Sequence, residues 1–153
     1  GLTDQKIQKK YFRKQLEIAA EMDLPIVFHN READEDIISI LSDFPGLKGV
    51  AHCFSSTIET AEKLIELGFL ISFSGNLTFK NSKLPEVASK ISLRNLLVET
   101  DSPYLSPTPF RGKPNEPARV RYVAEKLADI NNCTLEEVAK RTSENAIKLF
   151  KIV

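Results

Sequence analysis

Only two histidines occur in the 153 residues, His29 and His52, and each stands at the end of an apolar run. The runs are Ile26-Val27-Phe28 and Val50-Ala51; a third, Leu96-Leu97-Val98, ends in Glu99, Thr100 and Asp101. A single such histidine is as readily a hydrogen-bonded interior residue as a ligand. Two of them, joined by a carboxylate at a third strand end, carry more weight. In α/β folds ligands gather at the carboxyl ends of parallel strands, so His29, His52 and Asp101 are expected to converge on one edge of a sheet. Two neutral imidazoles and a carboxylate suit Zn²⁺, Mn²⁺ or Mg²⁺, and the chemistry such a centre performs is metal-assisted hydrolysis.

Other chemistries are less well supported. Cys53 follows His52 directly, and the two-residue period of a strand turns the two side chains to opposite faces, so His52 is badly placed to activate the thiol. Cys53 reads as a small core residue. Neither a G-x-S-x-G elbow, a P-loop nor a G-x-G-x-x-G turn occurs in the chain. The stretch 110–121 carries Arg111, Lys113, Arg119 and Arg121 against the one acid Glu116. It is either a solvated loop and helix start or, lying just after the Asp101 strand, a phosphate contact.

These residues need elements to hold them. Asp4 or Thr3 can cap a helix running to about Met22. Pro25 then opens the first strand, which lacks polar alternation and is expected to be buried on both faces. The acids Glu32, Asp34, Glu35 and Asp36 suit the first turn of a helix that continues through Ile37, Ile38, Ile40 and Leu41. A second strand is expected over 50–54, followed by a capping box, Ser56-x-x-Glu59, and a helix ended by Gly68. A third strand covers 69–73, Pro85 opens a short helix, and 96–98 make a fourth strand. Five of the eight prolines fall in 103–117, a stiff irregular loop. Two helices follow, from about Ala118 to Ile130 and, capped by Thr134-x-x-Glu137, from Leu135 to Phe150. Strands alternating with helices every 20 to 26 residues or so indicate parallel βα units, in a doubly wound sheet or a barrel.

With 21 Lys+Arg against 21 Asp+Glu, no net field draws the chain onto nucleic acid or membrane, so such a partner would have to be held locally. No apolar run approaches the roughly 20 residues of a membrane span. Two cysteines, Cys53 and Cys133, without CxxC spacing point to a reducing, cytoplasmic setting. The chain starts with glycine and its one methionine is Met22, which reads as a fragment; residues 1–153 are expected to form one domain.

Several segments together resemble the TatD metal-dependent deoxyribonucleases, of the amidohydrolase-like (β/α)-barrel enzymes. They are P-I-V-F-H-N-R at 25–31, A-H-C-F-S at 51–55, I-S-F-S-G at 71–75, E-T-D-S-P-Y-L at 99–105 and N-E-P at 115–117. The resemblance implies that His29, His52 and Asp101 are metal ligands and that Asp101 also orients or deprotonates the attacking water. It implies that Arg31 and Glu99 stand behind the ligands, and it draws in Asn115 and Arg111 as supporting or substrate-binding residues. Glu32 replaces the family's usual aspartate and Ser56 its usual glycine. The family's H-x-H pair and a further glutamate lie on strands earlier than any here, so the expected fold is about the second half of a TIM-like barrel, parallel strands with outer helices. The implied function is hydrolysis of DNA with one divalent ion, or two in the full-length protein. The isolated chain is then expected to be weak or inactive. Two alternatives remain: an amidohydrolase or lactonase acting on a carbonyl substrate, and a non-catalytic half barrel that associates with itself or with its missing half. The apolar side chains of Ile26, Phe28, Val50 and Val98 are expected to drive that association.

Overall fold

The computed structural model describes residues 4–152. The order of elements is α1 (Gln5–Glu21), β1 (Ile26–His29), α2 (Asp34–Ser42), β2 (Gly49–His52), α3 (Ile58–Glu66), β3 (Phe69–Phe73), α4 (Leu84–Ser89), β4 (Leu96–Val98), α5 (Val120–Asn131) and α6 (Leu135–Phe150). Asp4 caps α1, its side chain accepting from the Lys6 amide. Thr3, the other expected cap, lies outside the described residues. Thr134 caps α6 as expected by accepting from the Glu137 amide. At α3 the cap is Thr57, which accepts from the Thr60 amide, rather than Ser56. The Ser56 hydroxyl donates to Asp34 instead, and the helix starts one residue later than the capping-box spacing suggested. Glu32 likewise falls outside α2, in a left-handed conformation (φ 53°), while Asp34, Glu35 and Asp36 occupy its first turn.

All four strands are parallel and stand in chain order, β1-β2-β3-β4. The register aligns Phe28 with Ala51, Ala51 with Ile71 and Ile71 with Leu96, one apolar row across the sheet. Every member of that row is buried in the core cluster that the helices fill from α1 to α6. Because side chains alternate along a strand, the opposite face carries Val27, Val50, Leu70, Ser72, Leu97 and, at the carboxyl ends, His29 and His52.

That division corrects two expectations. β1 is not buried on both faces: it is an outer strand, and Val27 is 59% exposed on the face that the helices leave uncovered. Phe28 and Val50 are buried, and Ile26 and Val98 pack against the core, so the apolar surface left open is not the one expected. β2 also stops at His52, because Cys53 turns left-handed (φ 49°) instead of continuing the strand to Phe54.

The sheet requires one close backbone approach. A Cβ at Gly49 would lie 2.1 Å from the Ile26 carbonyl oxygen, on the β1–β2 pairing that sets the two histidines side by side. Gly49→Ala is therefore expected to destabilise the fold by about 3 kcal/mol or more, as overpacking against rigid backbone does. Urea denaturation checks it, and unchanged stability would show that β1 and β2 are not so closely paired.

Candidate metal centre

At the carboxyl ends of the strands, parallel pairing places His29 opposite His52, with ring centroids 5.7 Å apart. Glu99 is the first residue after β4, and its amide donates to the Phe73 carbonyl, which extends the pairing by one step. Two positions beyond Leu97, it falls on the face that carries His52. His52 belongs to β2 and Glu99 to the end of β4, with β3 between them. On that face β3 presents Ser72 and, just past its end, Ser74, both buried and small enough for the two side chains to meet above them.

They do meet. His52 Nδ1 lies 2.6 Å from Glu99 Oε1, and His52 Nε2 lies 3.5 Å from Asp101 Oδ1. The three ligand-type atoms of His52, Glu99 and Asp101 all fall within 4.8 Å of one another. Glu99 Oε1 is buried beside His52 Nδ1. Burying an anionic carboxylate is costly, and a second carboxylate beside it adds to the repulsion. A divalent cation would relieve both, and imidazole with two carboxylates is a donor set that such ions accept, so the residues present fit a metal.

The structure thus brings His52 and Asp101 together and adds Glu99 as a close third partner, where the resemblance implied only a supporting role. The signal for this was present in the sequence, since Glu99 and Asp101 are two residues apart at a strand end. His29 stands one strand further out, exposed and outside the three-residue cluster. Its pKa lies below the ordinary histidine value, through partial burial of the ring first, then the neighbouring His52 and the charge of Arg31. Arg31 itself is exposed.

The surroundings position this cluster. Asp101 is left-handed (φ 58°), as Cys53 is after His52, a conformation that costs a non-glycine residue roughly 1–2 kcal/mol. Cys53 is buried with Sγ 3.3 Å from Ser74 Oγ, and burial pushes its thiol pKa up, so it is no nucleophile. The side-chain amide of Asn30 donates to Asp34, which also accepts from Ser56. This bridge links the segment after His29 to the segment after His52. Sequence reasoning missed it, treating Asp34 only as a helix-start acid.

Two cations of the basic segment lie against aromatic rings. Arg119 donates to the Pro114 carbonyl at 2.7 Å and stacks its guanidinium 4.3 Å from the Phe110 ring centroid. Arg111, though exposed, has its guanidinium 3.6 Å from the centre of the Phe79 ring. Asn115 is buried, with its amide nitrogen 2.8 Å from both the Thr100 and the Tyr104 carbonyl oxygens. A cavity of about 1150 Å³ lies at the other end of the sheet, against Pro25, Lys48, Gly68 and Asn95, which precede the strands. It does not reach the cluster.

Comparison with known proteins accords with this geometry. The profile of the family described as TatD related DNase matches residues 2–151. The Bacillus subtilis protein named uncharacterized metal-dependent hydrolase YabD is 48% identical over 149 residues, covering 95% of this chain and 58% of that protein. Escherichia coli YcfH, with the same description, is 45% identical over 148 residues, covering 95% of this chain and 56% of its own length. The crystal structure of YJJV, a TatD homolog from Escherichia coli K12, superposes with a TM-score of 0.91 at 30% identity, over 99% of this chain and 61% of that one. The chain therefore spans a little over half the length of the relatives it matches.

The charge of Arg31 holds His29 down, so Arg31→Gln is expected to raise the pKa of His29 while leaving it titrating normally. Titration of the His29 ring protons by NMR checks the direction, and an unmoved or lowered value would place Arg31 too far away to act.

Proposed function

The chain belongs to the TatD related DNase family, and on that premise we propose that the parent protein is a metal-dependent hydrolase that cleaves phosphodiester bonds of DNA. The observation that carries this reading is the cluster of His52, Glu99 and Asp101, which sets two carboxylates against one imidazole. His52, Asp101 and Glu99, with His29 beside them, would hold the ion, which when bound polarises the phosphoryl oxygen and lowers the pKa of a water. The carboxylate of Asp101 orients that water and takes its proton. Glu99, 2.6 Å from Nδ1, sets the orientation of the His52 ring and leaves Nε2, 3.5 Å from Asp101, as the nitrogen that would face the ion. Arg31 and Arg111, both exposed, are the cations available to the phosphates, since Arg119 is engaged within its loop.

That engagement also favours a second reading, in which the same ligands serve an amidohydrolase or lactonase acting on a carbonyl substrate, because few free cations then remain to select phosphate. Cys53 and Cys133 are free thiols, consistent with a reducing cytoplasmic compartment, and no helix among the described residues is long and apolar enough to cross a membrane. The four strands form an arc of a (β/α) barrel, about its second half. Its open β1 edge and exposed Val27 associate with a second copy or with further barrel strands.

Full-length protein is expected to cleave single-stranded or duplex DNA with Mg²⁺, Mn²⁺ or Zn²⁺. Asp101→Asn should cost about 10² to 10⁴ in rate, as loss of a positioned proton acceptor does. The isolated chain is expected to be slower than the full-length protein by more than the roughly 10² to 10³ that losing one preorganised electrostatic element costs. Lactone hydrolysis without DNA cleavage would transfer the assignment to the second reading. Light scattering is expected to find the chain self-associated and Val27→Lys shifted toward monomer; a wild-type monomer would refute the open-edge reading.

A further inference from the structure

Asp101 holds an unfavourable backbone conformation, left-handed at φ 58°. What holds this turn comes from fourteen residues further along the chain. Asn115 is only 6% exposed, and its side-chain nitrogen, side-chain oxygen and backbone amide are all engaged. Its side-chain nitrogen donates to the carbonyls of Thr100 and Tyr104, 2.8 Å to each, and its backbone amide donates to the Pro103 carbonyl at 2.9 Å. Its side-chain oxygen accepts from the Glu116 amide at 2.9 Å. The three carbonyls bracket Asp101, one before it and two after. Within the bracket, the Tyr104 amide donates to the Asp101 carbonyl at 2.9 Å and closes the turn. The loop that carries Asn115 is itself fastened: Thr108 bonds to Thr78, Ser106 donates to the Lys113 carbonyl, and a Cβ at Gly75 would lie 1.8 Å from the Leu105 carbonyl oxygen.

We infer that Asn115 is a positioning residue for the metal centre: by spanning the carbonyls on either side of Asp101, its carboxamide holds the left-handed turn that presents the Asp101 carboxylate to His52. This rests on the metal-site reading above. No other side chain type of this size offers two donors to the two carbonyls together with an acceptor for the next amide. Aspartate, of the same shape, would replace both donors with oxygens aimed at carbonyl oxygens.

The test measures Mn²⁺ binding to wild type, Asn115→Asp, Asn115→Ser and Ser106→Ala by electron paramagnetic resonance of the free ion, with circular dichroism to confirm the fold. Hydrogen exchange of the Tyr104 amide is followed on the same proteins. The Asn115 variants are expected to bind Mn²⁺ about 10- to 100-fold more weakly, the usual effect of losing a group that orients a ligand. Ser106→Ala, which loosens the same loop without touching the bracket, should stay within about two-fold of wild type. Equal affinity in wild type and the folded Asn115 variants overturns the proposal, and so does an equal loss in Ser106→Ala. If Asn115→Asp does not fold, Asn115→Ser decides; if neither folds, the residue belongs to the fold and the proposal fails. A wild type that takes no Mn²⁺ overturns the metal reading instead. The positioning role is then judged by exchange alone, expected to be about ten-fold faster or more at Tyr104 in the Asn115 variants and overturned by an unchanged rate.

Discussion

One apolar row governs this structure. Phe28, Ala51, Ile71 and Leu96 lie side by side across four parallel strands and face the helices, and burying them fixes the register of the whole sheet. Because the side-chain period of a strand is two, every residue between them is committed to the other face. His29, His52 and Glu99 are among those. A slip of one residue in β2 would bury His52 among the helices and expose Ala51, so the hydrophobic core and the polar cluster are two results of one constraint. The intervening strand completes the arrangement with small hydroxyl residues, Ser72 and Ser74, over which His52 and Glu99 can touch.

Beyond the strand ends, order is maintained by polar side chains bonded to backbone. Asn30, Asp34 and Ser56 join the exits of β1 and β2, while Asn115 and Thr108 fasten the long loop to the exits of β4 and β3. Left-handed residues sit where the chain must leave the sheet abruptly, at Cys53 and Asp101. Neither is glycine, so the surroundings must hold each in place. Such strain is tolerable beside a rigid sheet and suits a centre whose ligands must not wander.

Electrostatically the cluster is incomplete by itself. Glu99 and Asp101 bring two carboxylates to one imidazole, and in the following segment Arg119 is turned to Phe110 and the Pro114 carbonyl, while Arg111 lies against the Phe79 ring and stays exposed. Arg111 and Arg119 therefore also brace the loop. Their cation–aromatic contacts stiffen the stretch from which Asn115 reaches back to Asp101.

The sequence by itself determined where the strands lie, since unbroken apolar runs admit few other readings, though not that β2 stops at His52; it determined the helix start at Thr134, where a capping oxygen precedes a free amide. It also determined that His52 and Asp101 would share an edge, because parallel strands bring their carboxyl ends together. Only the tertiary structure decided the rest. Whether Ser56 capped α3 depended on Asp34, a partner 22 residues away that the spacing of a capping box does not record. Whether Val27 was covered depended on what lay across the sheet from it, and whether Glu99 reached His52 depended on the small side chains of an intervening strand. Local pattern specifies which atoms a residue offers and which way its strand turns them; what those atoms meet is decided by packing between segments distant in the chain.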